Sequence, residues 1–208
     1  VSIYNEGALL SMILDIELIA ATNGQKSMDD VMHQMYQQFA KKNIGYTVED
    51  YWKTLVDLGL LNANEFKTNI AESAIDYTDY LEKAFQKIGV ELVWSPSAIA
   101  TERLFGFSVD IMNDKSIVNS VCPNSAADLA GLWYGDELID IDGISVSKNV
   151  QFLLENTTES NIRFIRNKIE FETTLKSNLE QPTIQKVEII FPTQPNQLFL
   201  QWIGQRFK

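Results

Sequence analysis

The sequence predicts an α+β protein. An N-terminal helical subdomain, residues 1–89, precedes a small β-barrel or sandwich with two helices, residues 90–177, and a C-terminal strand and tail, residues 178–208. Three observations carry this expectation. Apolar residues recur at helical spacing as far as Gly89, and from Val90 the period changes to short strand-like runs. Turn residues punctuate those later runs. The stretch from Ser125 to Gly143 then spells out a capped helix, a glycine turn, a strand and a second turn. There Ser125 accepts the free N–H groups of a first helical turn, Gly131 and Gly135 supply positive φ, and Asp142-Gly143 turns the strand.

Composition bounds the function classes. With 208 residues, 45% of them apolar, the chain has room for one large domain or two small ones with a substantial core. A net charge of −11 repels a phosphate backbone, which sets nucleic acid aside as a partner. The most apolar run, Ala8 to Ala21, is broken by Asp15 and Glu17 and is too short for a bilayer, so no membrane span is expected. The sequence starts at Val1 without an initiator Met, a basic n-region or a small-residue cleavage site, and reads as a piece of something longer. Its compartment is not legible from that start. Cys122, after an apolar strand, is expected to be a buried small hydrophobe, and one thiol neither requires nor excludes an oxidising compartment.

In the first half, a helix from about Asn5 to Thr22 has Leu9, Met12, Ile13, Ile16, Ile19 and Ala20 on one stripe and Leu10, Leu14 and Leu18 on another. A helix apolar over most of its circumference belongs inside a domain. Asn23-Gly24 ends it, and Ser27 with Asp30 forms a capping box for the next. Met28, Val31, Met32, Met35, Tyr36 and Phe39 then repeat at helical spacing, read as core packing in preference to a ligand groove. Thr47 with Asp50 opens a third helix whose Val48, Tyr51, Trp52, Leu55 and Val56 are expected inward, before Gly59. Shorter helices follow at about Asn62 to Glu72 and Thr78 to Ile88.

In the second half, Phe105 to Ile111, Ser116 to Cys122, Glu137 to Ile141, Asn161 to Arg166 and Ile169 to Leu175 read as strands, rich in Ile, Val and Phe. One helix, about Lys148 to Asn156, interrupts them with Val150, Leu153 and Leu154 on one face. Glu91 to Glu102, with Pro96, reads as a linker or an extra strand. Ile184 to Phe191 adds a further strand, and Pro192 to Lys208 an ordered tail anchored by Phe199 and Trp202.

Ser125, Ala127, Ala130, Gly131, Leu132, Gly135, Asp136, Leu138, Ile141 and Gly143 resemble the pattern S-P-A-x-x-A-G-L-x-x-G-D-x-I-x-x-I-x-G of PDZ domains in bacterial envelope proteases, with Ala126 at the usual Pro. Upstream, Leu104-Phe105-Gly106-Phe107 stands where such a domain keeps its G-L-G-F carboxylate-binding loop, Leu104 replacing the first glycine. The resemblance implies that the N–H groups of Phe105, Gly106 and Phe107 form a nest for a peptide C-terminal carboxylate. The peptide then adds a strand beside Phe107 to Ile111, with Leu104, Val150, Leu153 and Leu154 as the other groove residues. Either this groove is open to a peptide or protein C-terminus, or the domain packs on its own catalytic domain with the groove blocked.

A second resemblance covers roughly Tyr4 to Leu175. Tyr4-Asn5-Glu6-Gly7-Ala8-Leu9, then Ser27-Met28-Asp29-Asp30-Val31-Met32, then Gly45-Tyr46-Thr47-Val48-Glu49-Asp50, resemble Y-x-K-G-A-L, S-L-D-D-V-M and G-Y-T-x-x-D of the glycyl aminopeptidase family of bacterial zinc peptidases, which carry a PDZ domain beyond. Gln197 before Trp202-Ile203-Gly204 is similar to that family's ending. The resemblance makes residues 1–89 the end of a thermolysin-like catalytic domain and Tyr4 a catalytic residue, its phenol a preorganised donor to the oxyanion. Glu6 stands where the family has Lys, which removes any contact made by that basic side chain.

Such peptidases need an HExxH helix, and this chain has one histidine, His33, on a polar helix face. No metal ligand is therefore assigned here, and no cofactor is expected in this fragment. Zinc is expected in the parent protein, held by an upstream catalytic domain that is this fragment's first partner. The carboxylates Asp29, Asp30, Glu49, Asp50 and Asp76 fall at helix starts, where they favour the dipole, and none reads as a catalytic pair. The expected function is the C-terminal half of a bacterial zinc aminopeptidase-like protein, inactive alone. The alternative is a non-catalytic PDZ peptide-binding or regulatory module. The resemblance favours the periplasm or cell envelope over the cytoplasm.

Overall fold

A computed structural model describes residues 3–73, 76–146, 149–178, 180–181 and 183–204. Its first element, α1 (Ile3–Ala21), is buried on all sides only in its second half, where Ile13, Leu14, Ile16 and Leu18 are fully enclosed. Around that half pack α2 (Met28–Gln38), α3 (Val48–Asp57), α4 (Ala63–Phe66) and α5 (Thr78–Lys87). Lys67–Ala71 continue α4 as a π-turn, so the expected helix from Asn62 to Glu72 is realised in two geometries. The predicted capping box at Ser27 is present, and Thr47 with Asp50, expected to open the third helix, forms a second. The Ser27 N–H donates to Asp30 at 3.1 Å, and the Thr47 N–H to Asp50 at 2.8 Å.

The tail returns to this helical core. Asn196 accepts the Phe199 N–H at 2.7 Å and so starts α8 (Gln197–Trp202). Phe199 is buried, and Trp202 meets Phe85 edge-on at 5.7 Å between ring centroids. Residues 1–93 and 189–208 accordingly form one unit and residues 94–188 another, which divides the chain differently from the three sequential segments read off the sequence. Strands β1 (Glu91–Pro96) and β8 (Gln185–Ile190) pair in a two-stranded sheet.

The β unit is an antiparallel sheet in the order β2 (Phe107–Met112), β3 (Lys115–Val121), β4 (Glu137–Ile141), β6 (Glu159–Arg166) and β7 (Ile169–Lys176), with the short β5 (Ile144–Ser145) on β4. Its hairpins close on residue pairs with positive φ: Asn113-Asp114, Asp142-Gly143 and Asn167-Lys168. The core beneath comprises Phe105, Phe107, Val118, Leu132, Leu138, Ile162 and their neighbours. Helices α6 (Ala126–Leu129) and α7 (Val150–Leu154) cover it. Lys148, expected to begin the second of these, lies outside the described residues. Ser125 caps α6, accepting the Asp128 N–H at 3.3 Å.

Several side chains face otherwise than the sequence suggested. Val48 is exposed at the first turn of α3. The methionine and aromatic stripe divides: Val31 and Met35 enter the core, whereas Met32 and Tyr36 are exposed. Cys122 is half-buried, and burial together with the nearby Asp128 raises its pKa.

Candidate functional site

The presumed carboxylate loop begins as a helix. Residues Thr101–Phe105 wind into one π-turn, where the sequence suggested a strand starting at Phe105. The turn ends because Gly106 adopts φ +75°, a left-handed exit that only glycine makes without strain. The Gly106 N–H donates to the Thr101 carbonyl, so it is already used inside the turn that Phe105 closes. Ser97 and Arg103 brace the start of this segment: the Ile99 N–H donates to Ser97 Oγ at 3.1 Å, and Arg103 Nη1 donates to the Ser97 carbonyl at 2.9 Å.

The Cys122 N–H donates to the Gly106 carbonyl at 2.7 Å, and Phe107 stands opposite Val121. That makes Phe107–Val121 a non-hydrogen-bonded pair, with the Phe107 N–H and carbonyl turned away from β3, although Phe107 as a whole is fully buried. Among the described residues β2 pairs only with β3 and is the terminal strand of its sheet. A bulge at Ser108/Val109 twists it, and Ile111 and Met112, 46% and 58% exposed, lie at its far end. An unpaired edge of this kind is a template for an added strand.

The helical wall differs from expectation. Val150 and Leu154 are buried in the core, so the apolar face they share is turned inward. Leu153 and Leu104 are half-buried and pack on the same core. The residue that reaches toward the loop is Gln151, missed at the sequence level. Its Nε2 donates to Thr101 Oγ1 at 2.8 Å, and its Oε1 accepts the Thr101 N–H at 3.3 Å. A readable signal for the turn existed in Ala98 to Arg103, a run of helix-compatible residues halted by Gly106.

In the helical unit, Tyr4 is 85% exposed at the first turn of α1. Leu9, Leu10 and Met12 are half-buried, and Gly7 has open space where a Cβ would stand. Beside α2, Met32, Met35, Tyr36, Ile44, Tyr46 and Tyr51 line an apolar groove of about 580 Å³. Burial pushes the Tyr51 phenol up to about 12. His33 is exposed. Among the described residues no three His, Cys, Asp or Glu side chains converge to hold a metal. No helix among them is long and apolar enough to cross a membrane.

The family model of the PDZ domain matches residues 96–167. No curated protein sequence matches the chain. Among solved structures, an aminopeptidase N family protein from Idiomarina loihiensis is similar over 98% of this chain, with TM-score 0.72 and 19% identity. The chain spans 36% of that protein's length. A PDZ domain protein from Parabacteroides distasonis is similar over 47% of this chain and 21% of its own, with TM-score 0.32 and 18% identity. An HtrA-type protease with a decapeptide is similar over 53% of this chain and 36% of its own, with TM-score 0.34 and 19% identity. The chain thus carries a PDZ domain at residues 96–167 within an α+β fold shared, helical unit included, with an aminopeptidase N family protein.

Proposed function

We propose that this chain is the C-terminal part of a bacterial zinc aminopeptidase-like metallopeptidase, in which the helical unit completes a catalytic domain and the PDZ domain receives a peptide or protein terminus. The observation that carries the reading is the fold likeness to an aminopeptidase N family protein over 98% of this chain. No three His, Cys, Asp or Glu side chains converge among the described residues, and on this reading zinc is held by an upstream catalytic domain of the parent protein. What this chain supplies is a phenol. Tyr4 stands exposed at the head of a helix whose buried half fixes its direction, and in the parent it donates a hydrogen bond to the oxyanion of the cleaved amide. The half-buried apolar residues Leu9, Leu10 and Met12 flank it and form the face on which the upstream domain packs.

The test uses the full natural protein. Cleavage of short peptides beginning with Gly or Ala, sensitive to chelation and accompanied by about one zinc per chain, is the expected result. Tyr4→Phe should lower kcat about 100-fold with zinc content unchanged, the scale of one oxyanion donor. Unchanged turnover removes Tyr4 from the mechanism, and a metal-free, inactive parent overturns the peptidase reading. The outer edge of β2 favours a second reading that survives that outcome: a non-catalytic module that binds an extended peptide by strand addition.

A further inference from the structure

We infer that the carboxylate-binding end of the PDZ domain is held shut by an internal latch, with Gln151 as its clasp, while the rest of the β2 edge stays open. The inference rests on the strand-addition reading of that edge. Capture of a peptide carboxylate needs backbone N–H groups pointing out of the loop. Here the Gly106 N–H donates to the Thr101 carbonyl, and Gly106 is itself buried. Thr101, wholly buried, anchors the π-turn, and the Gln151 side-chain amide grips it at both its N–H and its hydroxyl. On its far side the Glu102 carbonyl accepts the Ile184 N–H at 3.2 Å. The turn is therefore tied to α7 and to the segment before β8, and both ties belong to the β unit.

Farther along β2 the case is different. Phe107 is as fully buried as Thr101, but Asp110, Ile111 and Met112 are exposed on the terminal strand of the sheet. An internal extended segment can therefore add to β2 with the latch closed, whereas a free C-terminus gains its carboxylate contacts only after the π-turn unwinds and releases Gly106. Opening breaks the Gln151–Thr101 bonds, so the clasp sets the preference between the two ligand types.

The experiment compares wild type, Gln151→Ala and Thr101→Val of the whole chain. Gln151 is exposed on α7, so its truncation leaves the core intact, and Thr101→Val removes the hydroxyl at constant shape. The probe is a dansylated pentapeptide ending in valine, prepared as the free acid and as the amide. Wild type is expected to bind both forms within about twofold, and both variants to bind the acid about tenfold more tightly with the amide unchanged, the scale of one or two net hydrogen bonds. Hydrogen exchange at the Gly106 amide should be slow in wild type and about tenfold faster in Gln151→Ala. Acid affinity equal in all three proteins, a wild type already preferring the acid about tenfold, or fast Gly106 exchange in wild type overturns the latch and leaves the edge reading standing. Failure of every protein to bind either form overturns the edge reading and the latch together.

Discussion

The two units solve the same problem, burying a core without stranding polar groups, by opposite means. In the helical unit the backbone satisfies itself within helices, and carboxylates sit at helix starts near the surface, as Asp30 and Asp50 do in their capping boxes. In the PDZ domain the chain turns too often for that, so buried carboxylates supply the missing acceptors. Asp136, fully buried, takes the Trp133 N–H at 2.7 Å and two Arg166 nitrogens at 2.7 Å. Asp140, also buried, takes the Gly143 N–H at 3.2 Å and pairs with Arg163. Arg166 in turn lies over the rings of Phe164 and Phe171 and donates to the Gly131 carbonyl at 2.7 Å. The lesson is that a turn-rich fold concentrates its vulnerability in a few charges, and a helix-rich one spreads it over apolar volume. Glu17, buried beside Lys87 in the helical unit, marks the limit of that contrast.

The contrast predicts different failures. Asp136→Ala removes the acceptor of the Trp133 N–H and leaves Arg166 only the Gly131 carbonyl, and should lower the stability of the PDZ domain by about 3 kcal/mol, the scale of charge-assisted hydrogen bonds lost at a buried acceptor. Leu55→Ala opens a cavity beside Ile13 and Trp52 in the helical core and should cost about 3 kcal/mol there. Chemical unfolding followed by hydrogen exchange at Ile162 and at Leu14 reads the two cores separately. Each substitution should accelerate exchange in its own unit alone. Acceleration of both by either one would dissolve the comparison, because the units would then unfold as one.

How much of this was legible depended on how local the cause is. The turn chemistry of the PDZ domain is local, so Ser125, Gly131, Gly135 and Asp142-Gly143 announced helix cap, exit and turns that the structure reproduces. The capping box at Ser27 and the helix start at Thr47 were readable for the same reason. At Leu104-Phe105-Gly106-Phe107 two local signals compete: Phe105, Phe107 and Val109 alternate like a strand, but the run before them is helical and Gly106 terminates it. The apolar periodicity of Val150 and Leu154 was correct, yet periodicity cannot distinguish a face that meets the core from one that awaits a ligand. Met32 and Tyr36 show the converse, apolar residues in helical register that stay exposed. The pairing of β1 with β8 and the return of Phe199 to the helical core join residues about a hundred positions apart, beyond the reach of any local pattern.

The smallest expected effect is also the sharpest probe of the contrast, because it concerns a half-buried carboxylate in the helical unit to which no arginine is bound among the described residues. Asp15 accepts the Met28 N–H at 2.8 Å, but burial raises its pKa above the ordinary 3.8, the hydrogen bond offsets this in part, and Asp29 adds to the rise. The folded state therefore holds the Asp15 proton more tightly than the unfolded state does. Its contribution to stability is full below about pH 3.8 and is lost as pH rises through the folded pKa. Asp15→Asn keeps an acceptor for Met28 and carries no charge. It should match wild type in acid and exceed it at pH 7 by about 0.5 kcal/mol, a modest gain because water still reaches the side chain. The same exchange at Asp136, where arginine compensates the charge, should instead destabilise at pH 7. A gain at both sites, or a loss at both, would show that the two units treat buried carboxylates alike.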